Sequence, residues 1–414
     1  MSLGWKPVRL GDLVETQKGY AFKSAWYSDS GRPIVKVSDF TADSVDSSAL
    51  VCIPEATAVD YLKYKLETGD VVIQTVGSWP TNPASVVGKC VRIPPGAADA
   101  LLNQNAVKLS PSNGLTRSFL YYRLRSDDFK TYIIGTAQGA ASQAAITLEA
   151  IRAYNFDLPP LPVQRRIASI LSAYDELMEN CQRRVRILGE MARALYREWF
   201  VHFRFPGHEK IPRVDSPLGP IPKGWDVKKL AEVADVNRAQ INARTAPDEL
   251  HYIDISSVSP GQIDAVTTYS FSDAPGRARR IVQHGDTLWS CVRPNRRSHA
   301  LLIQPLANTI ASTGFAVLTP KNVPFPFLYL ATTTDEFVSY LTNLATGAAY
   351  PAVTATTFQD SEVIIPPSAL LEKFAAATIP MAEGNYTLRG KIKNLRDTRD
   401  LLLPRLLSGR LCFE

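Results

Sequence analysis

Two arginine clusters in the second half of the chain contain the residue types that bind nucleic acids. They flank one apolar run, and their members are Arg277, Arg279 and Arg280 before it and Arg293, Asn295, Arg296 and Arg297 after it. Arginine forms paired hydrogen bonds with guanine, asparagine does so with adenine, and both side chains also bind phosphate. The clusters therefore predict contacts with DNA. The alternative interpretation is a solvated, charged loop.

The corresponding part of the first half has few charges, but it contains an aromatic residue and several amides. The candidates for DNA contact there are Trp79, Asn82, Asn103, Gln104 and Asn105. We expect Trp79 to be exposed, so that its ring is available to a ligand. The alternative interpretation is a set of ordinary turns.

No set of residues has the spacing of a catalytic or metal site. The sequence contains no GxGxxG after a strand-like run and no GxxxxGK[ST], so a nucleotide-binding loop is not predicted. The five histidines and five cysteines lack the paired spacings of metal ligands. We therefore predict a non-catalytic chain without a cofactor or metal of its own. Widely spaced, odd-numbered cysteines also indicate a reducing compartment, the cytoplasm.

Length and charge restrict the possible architecture and function less strongly than the motifs do. A chain of 414 residues is long enough for two or three domains with cores of their own. Its net charge of +6 favours a nucleic-acid partner only weakly. No apolar run reaches the roughly eighteen residues of a membrane-spanning helix.

A long helix is predicted for residues 162–205, where apolar or small residues recur in alternating steps of four and three. This seam consists of Ile167, Leu171, Tyr174, Met178, Cys181, Val185, Leu188, Ala192, Leu195 and Trp199. A period of 3.5 residues keeps one face toward a partner helix, as in a coiled coil. The alternative is an amphipathic helix packed on a globular domain, which would show a wider stripe at a period of 3.6 residues.

The chain then repeats its motifs in the same order and with similar spacing. Gly4-Trp5 recurs as Gly224-Trp225, and Pro159-Pro160 recurs as Pro366-Pro367, at offsets of 220 and 207 residues. Between these motifs, Phe-Leu-Tyr and Gly-Ala-Ala also recur. A duplication of one domain together with its helix explains the pattern.

Shifting the first seam by 207 residues predicts a second helix in the same register. Its seam consists of Phe374, Thr378, Met381, Asn385, Leu388, Ile392, Leu395, Arg399, Leu402 and Leu406. Asn385 and Arg399 are polar seam residues of the kind that fixes the register of two helices. Pro380 and Gly384 are expected to bend or fray the first turns of this helix.

These elements predict an α+β fold in which two similar domains are joined by two long, antiparallel, coiled-coil-like helices. The first helix leaves domain one and ends where domain two begins, and the repeat predicts the reverse course for the second, which implies a pseudo-twofold axis. The predicted bounds are 1–160 and 224–366 for the domains, 161–206 and 367–414 for the helices, and 207–223 for a linker rich in proline and glycine.

Four runs resemble the specificity subunits of type I restriction–modification enzymes. They are residues 158–164 leading into the first helix, Trp199-Phe200 at its end, residues 216–225 in the linker, and residues 406–409 near the C-terminus. The resemblance covers nearly the whole chain. It implies that the two domains are target-recognition domains, each reading one half of a bipartite site in double-stranded DNA, and that the helices set the gap between the halves.

The resemblance also implies the partners of the chain. Two copies of an adenine-N6 methyltransferase (modification) subunit, which bind S-adenosylmethionine, would dock on the helices. A restriction and translocation subunit that uses ATP with Mg would join them. In such a complex the specificity subunit itself has no catalytic activity.

Two other classes of function remain alternatives. One is a non-enzymatic scaffold, with two like domains on a helical strut that bind only proteins. The other is a stand-alone DNA or RNA enzyme whose site has no recognisable motif. The arginine-rich loop favours DNA binding over the scaffold, and the absence of a cofactor motif disfavours the enzyme.

Overall fold

Short strands separated by glycine- and proline-rich turns make up most of both halves of the chain. The structure is a computed structural model, and it describes residues 4–80, 85–112, 114–140 and 143–410. The chain divides into two units. Unit 1 extends to Glu179 and resumes at Lys393, and unit 2 runs from Asn180 to Ile392. Each unit therefore contains a stretch of both long helices, whereas the sequence analysis placed the helices outside the domains.

Unit 1 is built on an antiparallel sheet of four strands. The described strands of this unit are β1 (Lys6–Arg9), β2 (Val14–Lys18), β3 (Arg32–Val35), β4 (Cys52–Ile53), β5 (Val71–Gln74), β6 (Val76–Gly77), β7 (Cys90–Arg92), β8 (Leu101–Leu102), β9 (Ala106–Pro111), β10 (Ala144–Ala145) and β11 (Asn155–Leu158). Its helices are α1 (Glu55–Ala58), α2 (Arg117–Arg123), α3 (Asp127–Gly135), α4 (Leu148–Arg152) and the start of the long helix α5 (Leu161–Tyr196). The main sheet has the order β2-β9-β5-β7, a smaller sheet pairs β3 with β8 in parallel, and β1 pairs with β11.

Unit 2 contains a sheet of the same order. The described strands of this unit are β12 (Arg213–Val214), β13 (Ile221–Pro222), β14 (Asp226–Lys229), β15 (Ala234–Val236), β16 (Glu249–Ile253), β17 (Val258–Ser259), β18 (Gln262–Ile263), β19 (Thr267–Ser270), β20 (Ala278–Ile281), β21 (Thr287–Ser290), β22 (His299–Leu301), β23 (Thr309–Ser312), β24 (Phe315–Pro320) and β25 (Glu362–Ile365). Its helices are α6 (Leu230–Val233), α7 (Phe325–Ala331), α8 (Asp335–Leu344), α9 (Ala355–Gln359) and most of the long helix α10 (Ser368–Leu407).

The topology of unit 2 repeats the main sheet of unit 1 and two of its strand pairs. The order β15-β24-β21-β22 corresponds to β2-β9-β5-β7, and the pair β14-β25 corresponds to β1-β11. The parallel pair of β16 and β23 likewise corresponds to β3 and β8. In both units the central strand, β5 or β21, is buried along its whole length. The predicted α+β class and internal repeat are therefore confirmed.

The two long helices run antiparallel within each unit, as predicted. In unit 1, Ile167 and Leu171 of α5 share an apolar cluster with Leu406 of α10. In unit 2, the rings of Trp199 and Phe374 lie 6.0 Å apart. One turn of π-helix, Arg197–Val201, ends the first helix.

The expected fraying of the second helix is wrong, because α10 continues without a break through Pro380 and Gly384. Its first turns bury Phe374 in the core of unit 2, and burial of such a side chain stabilises by roughly 1.5–3 kcal/mol, which offsets much of the cost of a proline. Gly384 faces Leu188, whose Cδ1 would lie 3.4 Å from a Cβ at that position. A Cβ at this position would therefore make ordinary van der Waals contact with α5.

The seam residues of both helices are all buried or half-buried. Ile167 and Leu171 belong to the core of unit 1, and Phe374 belongs to the core of unit 2. The seam thus packs on the domains as well as on the other helix. Both interpretations of its period, a coiled-coil helix and a helix packed on a globular domain, therefore apply. None of the helices in the described ranges is both long enough and apolar enough to cross a membrane.

Candidate nucleic-acid interface

The second arginine cluster lies in the loop after β21, which we call the strand loop of unit 2 (residues 291–298). A single 3-10 turn, Pro294–Arg296, lies between Arg293 and Arg297, whose φ angles are +52° and +55°. Residues other than glycine are strained in this left-handed region, and such strain persists only where the surrounding structure fixes it. The backbone of the loop therefore has one defined conformation.

A second loop, which we call the Gly-Ala loop of unit 2 (residues 345–353), lies against the strand loop. The Arg293 N–H donates to Pro351 O at 2.7 Å, and the Val353 N–H donates to Cys291 O at 2.9 Å. The sequence analysis noted the repeated Gly-Ala-Ala at its start but did not assign the loop to the site. That repeat was the signal by which the loop could have been found.

The first arginine cluster meets the second at the turn after β23. The Thr313 N–H donates to Arg277 O at 2.8 Å, and the Cys291 N–H donates to Gly314 O at 2.9 Å. Arg279 and Arg280 lie within β20 itself. Residues separated by more than ten positions in the sequence thus form one region of the surface of unit 2.

Several arginines of this region already have partners. Arg277 lies 3.7 Å from Asp254, and Arg297 lies 2.6 Å from Asp335. Both ion pairs are exposed, so each contributes only about 0–1 kcal/mol and a phosphate could replace the carboxylate at small cost. The guanidinium of Arg279 lies over the ring of Phe271, at 5.3 Å from its centroid.

Three side chains of the two arginine clusters form no hydrogen bond or ion pair with any described residue. Arg296 and Asn295 are exposed at the tip of the strand loop. Arg280 is half-buried, and its Nε is buried without a hydrogen-bond partner. Burial lowers the pKa of Arg280 from its usual value, as expected for a cation that lacks a counter-ion. A phosphate at the solvent-facing part of this half-buried side chain would supply a counter-ion, whereas the buried Nε itself is inaccessible to a ligand.

Two further titratable groups of this region, His299 and Cys291, are uncharged at neutral pH. Burial, with Arg297 and Arg193 nearby, lowers the pKa of His299 to about 4. Its Nδ1 lies 3.2 Å from the hydroxyl of Tyr329. Burial raises the pKa of the Cys291 thiol to about 11. Over the described ranges, no group of three or more His, Cys, Asp or Glu side chains is arranged to hold a metal ion.

Unit 1 has the same pair of loops, with different side chains. Its strand loop follows β5, its Gly-Ala loop follows α3, and the two are joined by the pairing of β6 with β10. Trp79 is half-buried, packs on the core of unit 1, and donates its Nε1–H to Ala140 O at 3.3 Å. The expected exposure of Trp79 is therefore wrong, because its ring covers apolar residues and its N–H has found an acceptor. Asn82 lies outside the described residues.

The turn between β8 and β9 contains Asn103, Gln104 and Asn105. Thr75, at the start of the strand loop, donates its N–H to Asn105 O at 2.8 Å. Asn103 Oδ1 accepts the N–H of Gln104 at 2.8 Å, and the Gln104 side chain is exposed. The structure thus places this turn beside the strand loop, with one free amide at its tip.

A cluster of aromatic and lysine side chains that the sequence analysis missed adjoins this turn. Tyr20 forms a bridge with Asn103, and its ring lies 4.5 Å from that of Tyr61. Lys63 lies over Tyr64 at 5.0 Å from the ring centroid, and Lys23 lies over Trp26 at 5.5 Å. The alternation of tyrosine and lysine around residue 63 is the sequence signal by which this cluster could have been found. Such interleaving is typical of surfaces that bind nucleic acids.

The fold and the loops together define a class of protein: a duplicated α+β molecule whose units carry the same pair of loops with different polar side chains. Comparison with known proteins agrees. Residues 2–187 match the type I restriction modification DNA specificity domain. The MjaIX specificity subunit of Methanocaldococcus jannaschii is 23% identical, over 75% of this chain and 73% of its own. The HindI specificity subunit of Haemophilus influenzae is 20% identical, over 72% of this chain and 78% of its own.

A solved structure supports the fold. The crystal structure of the type I S subunit from M. genitalium aligns with a TM-score of 0.59 at 15% identity, over 98% of this chain and 96% of that one. Residues 2–187 thus match the type I DNA specificity domain, and the chain is similar in sequence and fold to type I specificity subunits, which confirms the resemblance seen in its sequence.

Proposed function

We propose that each unit of this specificity subunit binds one half of a bipartite site in double-stranded DNA. One observation carries the proposal. The same sheet supports the same two loops in both units, yet the strand loop of unit 2 is rich in arginine and that of unit 1 is not. A common framework with different loop side chains is what two readers of two different short sequences require.

In unit 2, the side chains that have no partner among the described residues are the first candidates for contact with DNA. Arg296 and Asn295 project from the strand loop, and Arg280 lacks a counter-ion. In unit 1, Lys23 and Lys63 would bind phosphates while Gln104 reaches a base edge. Phosphate contacts of this kind position a protein on DNA, and contacts with base edges select the sequence.

We further propose that the long helices set the gap between the half-sites and dock two adenine-N6 methyltransferase subunits. Ile187 and Met191, one turn apart on α5 in unit 2, are 46% and 49% exposed. Large contiguous apolar patches mark surfaces that bind a partner, and these two side chains would form part of such a patch. S-adenosylmethionine would bind to those partners, as would ATP with Mg to a restriction and translocation subunit, and this chain would supply specificity without catalysis in the cytoplasm.

The test is methyl transfer from S-adenosylmethionine to a DNA library with two random half-sites and a random spacer. The chain alone is expected to be inactive, the methyltransferase alone to lack sequence preference, and the complex to methylate one bipartite sequence. A scaffold that binds only proteins would leave the sequence preference of the methyltransferase unchanged. Methylation by the purified chain alone would contradict the proposed division of labour.

A further inference from the structure

We propose that Tyr350 contacts a base of the DNA half-site read by unit 2, and that Arg293 positions it. This proposal rests on the DNA binding proposed above for unit 2. It adds a contact that lies in the Gly-Ala loop, outside both arginine clusters. It also changes the role of Arg293 from a reader of DNA to a positioning residue.

The ring of Tyr350 is held in place and yet open to solvent. It is 69% exposed. The guanidinium of Arg293 lies over the ring at 4.7 Å from its centroid, a cation–π arrangement that fixes the ring and covers one face. The opposite face and the ring edge are therefore available to a ligand.

Arg293 is committed to the Gly-Ala loop at three points. Its N–H donates to Pro351 O at 2.7 Å, its guanidinium donates to Ala349 O at 3.1 Å, and the same group covers the ring between them. Its strained φ of +52° is part of the same arrangement. The bond to Ala349 O uses one of the five N–H groups of the guanidinium, and contact with the ring of Tyr350 fixes its plane, so the Gly-Ala loop sets the orientation of Arg293 before DNA binds.

The neighbours of Tyr350 identify the ligand. Arg296 and Asn295 are exposed on the turn that follows Arg293, so a polar and cationic tip lies beside a fixed aromatic ring. Arginine neutralises phosphate, while an aromatic ring makes apolar contact with a thymine methyl group or wedges against a base step. The combination suits a groove of duplex DNA, where both kinds of surface are present.

The first experiment compares Tyr350→Ala, Tyr350→Phe and a control, Leu306→Ala, in the complete complex with the methyltransferase. Leu306 is 65% exposed and lies in the turn before β23, beyond the far end of β22 from the strand loop. Tyr350→Ala is expected to weaken binding about five- to 150-fold, the roughly 1–3 kcal/mol of one aromatic–base contact. It should also relax base preference in one half-site, at an unchanged salt dependence. Tyr350→Phe and the control should bind as wild type.

The second experiment tests the positioning role with a double-mutant cycle. Arg293→Ala should weaken binding in the wild-type background but change little when Tyr350 is already alanine, and it should relax the same base positions. Additive effects with a lower salt slope would mean that Arg293 contacts DNA itself, which overturns the positioning role.

The outcomes separate this proposal from the one on which it rests. If the wild-type complex selects a bipartite sequence but Tyr350→Ala selects and binds it equally well, only the role of Tyr350 is overturned. If the wild-type complex shows no sequence preference, the proposed function fails, and the contact by Tyr350 fails with it.

Discussion

The buried ion pair between Asp175 of α5 and Arg399 of α10 should be a main source of stability in unit 1. Their side chains are 7% and 3% exposed, and the Arg399 guanidinium donates to Asp175 Oδ1 at 2.7 Å. Burial lowers the pKa of Arg399, but Asp43 and Asp175 more than compensate, so that its pKa is raised overall. Arg399 is the polar seam residue expected from the sequence to fix the register of the helices. We predict that the two residues are energetically coupled.

The magnitude follows from what each substitution leaves behind. Loss of one partner of a buried ion pair usually costs about 3–5 kcal/mol. Arg399→Met leaves Asp175 with the hydroxyl of Tyr122 at 2.6 Å, so we expect about 3 kcal/mol. Asp175→Asn leaves Arg399 with Asp43 at 3.4 Å and Asp400 at 2.8 Å, so we expect about 2 kcal/mol. The double variant should cost about 3 kcal/mol rather than the sum of about 5, a coupling of about 2 kcal/mol.

The assay is hydrogen exchange of the full chain at increasing denaturant, followed in peptides from residues 165–178. This reports the free energy of opening of unit 1 separately from that of unit 2. The matched control is Lys393 with Asp397, an exposed ion pair on α10 whose atoms lie 2.7 Å apart. Such pairs have coupling energies of only about 0.3–0.5 kcal/mol.

The reasoning would be refuted by additivity. If the cost of the double variant equals the sum of the single costs to within about 0.5 kcal/mol, the two side chains do not interact energetically.

Three further predictions concern pH, salt and spacing. Burial raises the pKa of Asp286 to about 6. The protonated carboxyl therefore stabilises unit 2 below about pH 4, and about 3 kcal/mol of that stability is lost as the pH rises through 6. Asp286→Asn should abolish this pH dependence. Arg296→Ala should weaken DNA binding by the complex for all sequences and lower the salt slope by about one, whereas Arg297→Ala, already paired with a carboxylate, should change it less. One heptad inserted beside Leu188 and one beside Gly384, which face each other in unit 2, should widen the preferred gap by about three base pairs, because seven residues add about 10.5 Å.

Each of these predictions has an outcome that contradicts it. The pH prediction fails if wild type and Asp286→Asn lose stability in parallel between pH 4 and 7 in urea unfolding. Salt slopes for the two arginine variants are measured by titration of labelled DNA. Equal slopes would show that ion pairing in the free protein does not determine which arginine contacts phosphate. An unchanged gap in sites selected from a random-spacer library would mean that the helices do not set the spacing.

Local patterns in the sequence predicted much of the framework. The apolar run between the two arginine clusters contains strand β21, and the seam predicted α5 and α10 with their register. These features depend on the period of apolar residues and on repeated motifs, which a single chain displays by itself.

What only the tertiary structure decided is which side chains are free to act. Trp79 appeared available, yet it lies against the core of unit 1, and Arg293 is engaged by a loop more than fifty residues away. Arg297 has a carboxylate partner on a distant helix, while Arg296 beside it has none among the described residues. The partners in these contacts are far apart in the chain, so no local period or propensity reveals them. Folding brings them together, and their burial and charge then determine which groups remain available to a ligand.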